Sequence, residues 1–301
     1  MKVKSIVLSI FLLLILVNCT RERAEIGTEE NPVKFFFIPS VDAKMIDDTT
    51  KLLEAYLEAH TPYKYKFSVP PSYVAVVEAF GTHRADVASI NTFGYILARE
   101  KYGAEARLLV IRHGESTYQA EFLARADSNI KKLEDIDGKK FAFVDPASVS
   151  GYLLPLKVFK DRKIKPKETV FAMSHDNVVS MIYQRQVDAG AAFYSPPAGG
   201  AIQDARRLVA TQYPDVEQKV KIVELSISIP NDPIIFRKDL PEEMKTKIAQ
   251  ALIDFSKTED GKKTLHNLSS VTGLIPCTDK DYDNTRTMLK ELGKSSSELV
   301  K

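Results

Sequence analysis

The chain has 301 residues, of which 44% are hydrophobic and 27% charged, with a formal net charge of +2. This composition is ordinary for a globular protein and supplies apolar material for a sizeable core, on the order of two domains. A near-neutral balance without basic blocks interleaved with aromatics excludes a dedicated nucleic-acid binder.

The N-terminus starts with a short basic stretch, Met1-Lys2-Val3-Lys4, and continues as an apolar run of 13 residues from Ser5 to Val17. As a helix that run reaches roughly 20 Å, short of a ~30 Å hydrocarbon core. Residues 1–18 therefore read as a signal peptide. The sequence Leu16-Val17-Asn18-Cys19 resembles a bacterial lipobox, with Asn18 where a small residue is usual. Cys19 is the expected lipid attachment point, which implies export, a membrane contact through N-terminal lipid, and a place in the cell envelope, periplasmic or on the outer surface. With Cys19 lipidated, Cys277 has no partner and no disulfide framework exists. Polar residues 19–32 read as a lipidated tether.

From Val33 the chain alternates strands and helices. Val33–Pro39 reads as a buried strand, followed by helix caps at Ser40-Val41-Asp42 and a helix from Lys44 to His60. Tyr65–Val69, Asp86–Ile90 and Arg107–Arg112 read as strands, with helices from Tyr73 to Gly81 and after Asn91-Thr92. Tyr118–Arg125 is a further strand, Ile130–Asp135 a short helix and Lys140–Val144 a strand. A helix follows over Tyr152–Lys163, with Pro155 tolerable in its first turn. Val170–Met173, a helix from Asn177 to Gln186, and the strand Val187–Phe193 complete a second series. The return path holds an extended run from Val220 to Ile229, a strand at Ile234–Phe236, a helix over Pro241–Lys257, and one more helix after Asp279. This rhythm predicts an α/β protein of mixed, mostly parallel sheets with helices on both faces. The expected organisation is lobe 1 from 33–119 plus 229–301 and lobe 2 from 120–228, joined by two hinge strands.

Several βα turns carry small hydroxyl or amide residues: Ser40, Ser72, Asn91-Thr92, Ser148-Val149-Ser150 and Ser174-His175. Any one of them alone is an ordinary helix cap. Together they place unpaired helix N–H groups at the carboxyl ends of strands, where open α/β sheets bind ligands. The stretch DPASVSGYLLP, residues 145–155, is the densest of these turns. A Ser/His/Asp hydrolase made from Ser148 or Ser150, His175 and Asp188 lacks a Gly-x-Ser-x-Gly elbow. The five histidines are scattered, so no metal site is expected.

FAFVDPASVSGYLLP, followed by SHDNVVSMIYQRQVDAGAA, resembles the substrate-binding proteins of phosphate, phosphite and phosphonate ABC transporters. That family carries a Pro-x-Ser-Thr-Ser-Gly-Tyr turn, a Ser-His-Asp helix start and a Val-Asp-Ala strand. YVAVVEAFGTHRADVASINTFGYILA, IPNDPIIFRKDLP and SVTGLIPCTDKDYD extend the resemblance over roughly residues 33 to 290. It implies a two-lobed type II periplasmic-binding-protein fold, no enzyme activity, no cofactor, ABC permease subunits as partners, and a monomer. Its ligand is a small phosphorus oxyanion: phosphite, phosphate or a phosphonate. The resemblance assigns ligand contacts to Ser148, Val149, Ser150, Gly151 and His175. From the other lobe it brings Tyr95, Asn91 and Thr92, with Ser40 or Asp42 beside them and Asp232 in the returning strand. Two departures bear on the ligand. Val149 replaces the family threonine, and Phe193-Tyr194-Ser195-Pro196-Pro197 offers no acid where aminophosphonate binders place a carboxylate. The second disfavours 2-aminoethylphosphonate, and the missing hydroxyl of the first fits a smaller or less polar ligand. A surface lipoprotein or sensor on the same fold is the alternative, with an enzyme on this fold a less favoured one.

Overall fold

The computed structural model describes residues 24–38 and 43–292; the leader, Cys19, Ser40 and Asp42 lie outside the described residues. The chain forms two six-stranded sheets. The first is built from β1 (Val33–Phe37), β2 (Tyr65–Ser68), β3 (Val87–Ser89), β4 (Glu105–Arg112), β11 (Pro233–Phe236) and β12 (Val271–Pro276), in the order β12-β4-β11-β3-β1-β2. The second contains β5 (Thr117–Arg125), β6 (Lys140–Phe143), β7 (Glu168–Phe171), β8 (Ala189–Tyr194), β9 (Val220–Leu225) and β10 (Ile229–Pro230). It runs β10-β5-β8-β6-β7, with β9 also on β5.

Both sheets are mixed, as expected, but their parallel character needs correcting. Parallel pairing is confined to β2-β1-β3 and β8-β6-β7. In the first sheet β11 is inserted antiparallel between β3 and β4, and β12 is antiparallel on β4. In the second, β5 runs against β8, β9 and β10. Most strands thus share one direction while most neighbouring pairs are antiparallel, because β11 and β5 run in reverse inside their sheets and β12 does so at an edge.

Residues alternate across each strand, so each sheet buries two faces. In β1, Val33, Phe35 and Phe37 face one side, packed with Leu53 and Leu57 of α1 (Ala43–His60) and with Ile248, Leu252 and Phe255 of α7 (Glu242–Lys257). The opposite face is covered by α2 (Tyr73–Gly81), α3 (Thr92–Tyr102) and α9 (Asp283–Glu291) through Val76, Phe80, Phe93, Ile96 and Leu289. In the second sheet, Leu123, Ala142 and Ala192 pack with Val178, Val179 and Ile182 of α5 (His175–Tyr183). Phe122, Phe141 and Phe143 meet Phe159 of α4 (Leu154–Arg162) on the other face. Each such fully buried side chain contributes roughly 1.5–3 kcal/mol. Glu121 is a buried exception in β5. Burial, reinforced by the charge of Asp204, pushes its carboxyl well above the usual range and keeps it neutral.

The two halves are linked by one turn and two crossings, besides side-chain bonds such as Arg207 to Ser270 Oγ and Lys160 to Glu291 O. Ala147, Val149, Leu153 and Leu154, which follow β6, join the α2–α3 core of the first sheet. The crossings run from β4 to β5 and from β10 to β11. They are bonded to each other through fully buried Asn231, whose N–H donates to Ser116 O at 3.0 Å and whose Nδ2 donates to Glu115 O at 2.8 Å.

Other local expectations also change. Residues 24–31 are no free tether: Gly27 N donates to Asn31 O at 2.7 Å, and Lys64 N donates to Gly27 O at 2.8 Å. The short helix expected over 130–135 is a 3₁₀ turn at Leu133–Ile136, and the strand expected over 170–173 starts earlier, as β7. The helix expected from Tyr152 begins sooner, as a π turn over Val149–Leu153. Neither α8 (Glu259–Ser269) nor β12 was expected. The first is charged and carries Gly261 in its opening turn. The second contains Gly273 and ends at Pro276, both weak strand signals. The start of α8 depends on Thr258, whose Oγ1 accepts from Gly261 N at 2.9 Å. A Cβ at Gly261 would lie 1.8 Å from Phe255 O. Gly261→Ala should therefore lower stability by about 1–3 kcal/mol in urea unfolding. An unchanged midpoint would contradict this tight α7–α8 join.

Candidate ligand-binding site

The site is built on the turn that follows β6. Its register is set by Gly151, whose carbonyl accepts from Val144 N at 3.1 Å. A Cβ on Gly151 would meet Val144 Cγ2 at 2.4 Å, so only glycine allows the turn to fold back on its own strand. Asp145 Oδ1 accepts from Ala147 N at 2.7 Å, and Ser148 N donates to Asp145 O at 2.9 Å. Ser148 Oγ then caps the π turn by accepting from Gly151 N at 3.0 Å. Tyr152 N and Leu153 N both donate to Ser148 O. Among the described residues, the amides of Val149 and Ser150 have no protein acceptor. Helix-start amides left in this way carry partial positive charge and take an anion.

The side chains of the turn divide. Ser148 uses a lone pair in its cap and keeps its own proton to donate. Ser150 is 2% exposed, with its hydroxyl beside that of Tyr118. Val149 is buried and packs into the core of the first sheet. The missing threonine hydroxyl is thus replaced by an apolar anchor that holds the turn while its amide stays available.

His175 opens α5 and is partly buried. Its Nδ1 accepts from Phe193 N at 3.3 Å, and its ring meets Phe193 edge to face at 5.0 Å. The bond places the proton on Nε2, so the imidazole is a neutral donor. Burial pushes its pKa down to about 4, only weakly opposed by Asp176. An ammonium-like, cationic His175 at neutral pH is therefore not the state of this site. The hydrolase arrangement is also disfavoured, because the accepting nitrogen of His175 is taken up by the main chain.

From the first sheet, Asn91 caps α3 by accepting from Gly94 N at 2.8 Å, and its Nδ2 donates to Ala147 O at 3.1 Å. It therefore ties the α3 start to the turn after β6. Thr92 is fully buried and donates to Pro230 O at 3.0 Å. Tyr95 does not face the turn. It is fully buried, donates to Asp279 Oδ1 at 2.5 Å, and packs edge to face on Tyr282 at 4.8 Å. Its position one turn into α3 gave the helix but not the ring's direction. Asp232 accepts from Arg112 at 2.8 Å, and both are half-buried.

Three residues were missed: Tyr73, Tyr118 and Arg112. Burial, followed by the charge of Asp232, raises the pKa of both tyrosines, so both stay protonated. Asp145 also raises Tyr73. Tyr73 had a readable signal, since it begins α2 directly after the cap Ser72, which accepts from Ala75 N at 3.2 Å. Tyr118 and Arg112 sit in strands, where local sequence does not reveal which side chains meet across the crossings.

A family model for the periplasmic substrate-binding protein of phosphonate ABC transporters matches residues 35–282. The chain belongs to this family. Over 268 residues it is 30% identical to the phosphate-import protein PhnD of Mycolicibacterium smegmatis, covering 83% of this chain and 82% of the relative. It is 27% identical over 207 residues to the phosphonates-binding periplasmic protein of Escherichia coli, covering 66% and 58%. Among solved structures it resembles PhnD1 from Prochlorococcus marinus (MIT 9301) in complex with methylphosphonate, with a TM-score of 0.71, 18% identity, and coverage of 87% of this chain and 98% of that one. This family member has the two-lobed type II periplasmic-binding-protein fold. Its relatives are transport proteins that bind substrates. No described helix is long and apolar enough to cross a membrane.

The state of His175 makes a pH prediction. Its folded pKa lies below the ordinary value of about 6.5, so the unfolded chain binds more protons in that window. Its contribution should be intact above about pH 6.5 and lost progressively as pH falls toward about 4. Urea unfolding of wild type and His175→Gln across this range checks it. Identical pH slopes for the two proteins would contradict the neutral, buried imidazole.

Proposed function

We propose that this family member captures a small phosphorus oxyanion, such as phosphite, phosphate or a simple phosphonate, and delivers it to the permease subunits of an ABC importer. The observation that carries the reading is the pair of amides at Val149 and Ser150 that have no acceptor among the described residues, with the Nε2–H of neutral His175 on the neighbouring helix start. Two amides, the Ser148 and Ser150 hydroxyls and an imidazole N–H form a donor set for an oxyanion without any lysine or arginine in direct contact. Gly151 is the hinge of this turn rather than a donor, because its amide bonds Ser148. The names of two relatives, one importing phosphate and one binding phosphonates, agree with such a ligand.

The lobes in this reading are residues 33–119 plus 229–301 and residues 120–228, closing about the crossings near Ser116 and Asn231. The separate sheets and the mutual bonds of those crossings support it. Ser40 and Asp42, which lie between β1 and α1 in sequence, are proposed to approach the ligand from lobe 1. Outside the cleft, Cys19 carries the lipid that holds the monomeric protein to the envelope, which rests on the sequence around it.

Two experiments test this. Ser148→Ala, Ser150→Ala and His175→Ala should each weaken phosphate or methylphosphonate binding by about tenfold or more, at roughly 1.5–3 kcal/mol per charged hydrogen bond. Loss of the Ser148 cap should cost about 1 kcal/mol of stability besides. Calorimetric titration of the full chain in mild detergent measures both ligands, and wild-type affinity in all three folded variants would sink the cradle. Separately, Cys19→Ala should abolish incorporation of labelled palmitate and release the protein from membranes. Label retained in that variant would exclude Cys19 as the acceptor.

A further inference from the structure

An anion cleft should not present a bare carboxylate, because like charge repels the ligand. Asp232 nevertheless stands close to the site. It follows Asn231, whose N–H donates to Ser116 O at 3.0 Å, in the crossing whose Ile229 pairs with Tyr118. Its charge is felt by both Tyr73 and Tyr118, and the Tyr118 hydroxyl lies beside that of Ser150 on the turn. The carboxylate is held in place by its own backbone, since Asp232 O accepts from Val110 N at 3.1 Å. Its Oδ2 accepts from Arg112 NH2 at 2.8 Å, across the join of β4 and the β10–β11 crossing. Both side chains line a cavity of about 50 Å³ whose other walls include Phe37, Val110 and Ile234. Apolar walls weaken solvent screening, so pairing or unpairing this carboxylate changes the local field more than at an open surface.

We infer that Arg112 is a specificity-determining residue of the cleft: by neutralising Asp232 it selects oxyanions that lack a cationic group and disfavours phosphonates that carry an amine. This inference rests on the oxyanion reading above and refines it. Without Arg112, the Asp232 carboxylate would repel a simple oxyanion and would attract a ligand ammonium. The same argument gives the reverse effect for Asp232. Removing its charge leaves the guanidinium positive and strengthens the hold on an anion. The absence of an acid between Phe193 and Pro197 fits the same selection, since that segment then offers no carboxylate to pair with an amine.

The test is calorimetric titration of the full chain in mild detergent at pH 7 with methylphosphonate and with 2-aminoethylphosphonate. The proteins are wild type, Arg112→Met, Asp232→Asn and the double variant. Arg112→Met should bind methylphosphonate about tenfold or more weakly and gain affinity for 2-aminoethylphosphonate relative to wild type. Asp232→Asn should bind methylphosphonate several-fold more tightly. The double variant should return to within about threefold of wild type, because both charges are gone. If Arg112→Met does not fold, the Asp232→Asn result decides, and unchanged or weaker methylphosphonate binding there overturns the inference. Wild-type affinities for both ligands in folded Arg112→Met also overturn it, as does a wild-type preference for 2-aminoethylphosphonate. In those cases measurable methylphosphonate binding by wild type leaves the oxyanion reading standing. Failure of wild type to bind methylphosphonate, phosphate or phosphite removes that reading and this inference together.

Discussion

A helix start leaves main-chain N–H groups that the helix itself cannot satisfy. After β6 this chain meets that constraint with minimal means. Gly151 folds back onto Val144, and Ser148 takes the Gly151 amide. Tyr152 and Leu153 share the Ser148 carbonyl. Among the described residues the amides of Val149 and Ser150 remain without an acceptor, in a turn fixed by the burial of Val149. Fixing matters energetically, because donors already in place cost no further ordering when an anion arrives. A more flexible turn would present the same atoms and bind less well.

The same turn links ligand capture to the relation between the sheets. Asn91 holds Ala147 O with Nδ2 while its Oδ1 caps α3. Thr92, next in sequence, holds Pro230 O at the second crossing. One cap of the first sheet therefore touches both the ligand turn and the segment about which the lobes would move. These residues were expected as ligand contacts, and the structure gives their side chains connections that join the two halves. In the proposed reading, polar side chains at βα turns serve as ligand donors in one sheet, while Asn91 and Thr92 act as ties in the other.

Much of this was legible in sequence. Apolar runs bounded by caps gave most strands and helices, since hydrophobic period and turn chemistry are local properties. The Ser148-to-Gly151 turn was identified because small polar caps recur at several βα turns and because residues 141–155 resemble the family's turn. What failed was direction and convergence. Tyr95 was placed correctly on α3, yet its ring turns toward Asp279 and Tyr282, which are more than 180 residues away in sequence. Arg112 was read only as the end of a strand, because its pairing with Asp232 exists only once β11 is inserted beside β4. The antiparallel insertions themselves were hidden. A buried strand such as Ile234–Phe236 reads the same in either direction. The charged α8 and the glycine-containing β12 lacked strong local signals, and packing on α1, α7, β4 and each other stabilises them.

The central claim is that two main-chain amides, rather than side-chain cations, receive the ligand. Nuclear magnetic resonance with backbone assignments reads it directly, by titrating the ¹⁵N-labelled protein with phosphate and with methylphosphonate. The account predicts saturable downfield shifts of the Val149 and Ser150 amide protons, with slowed exchange, in step with the shift of the His175 Nε2 proton. The Gly151 amide, already bonded to Ser148, should move less. Saturating binding that leaves the Val149 and Ser150 amides unmoved would contradict the account.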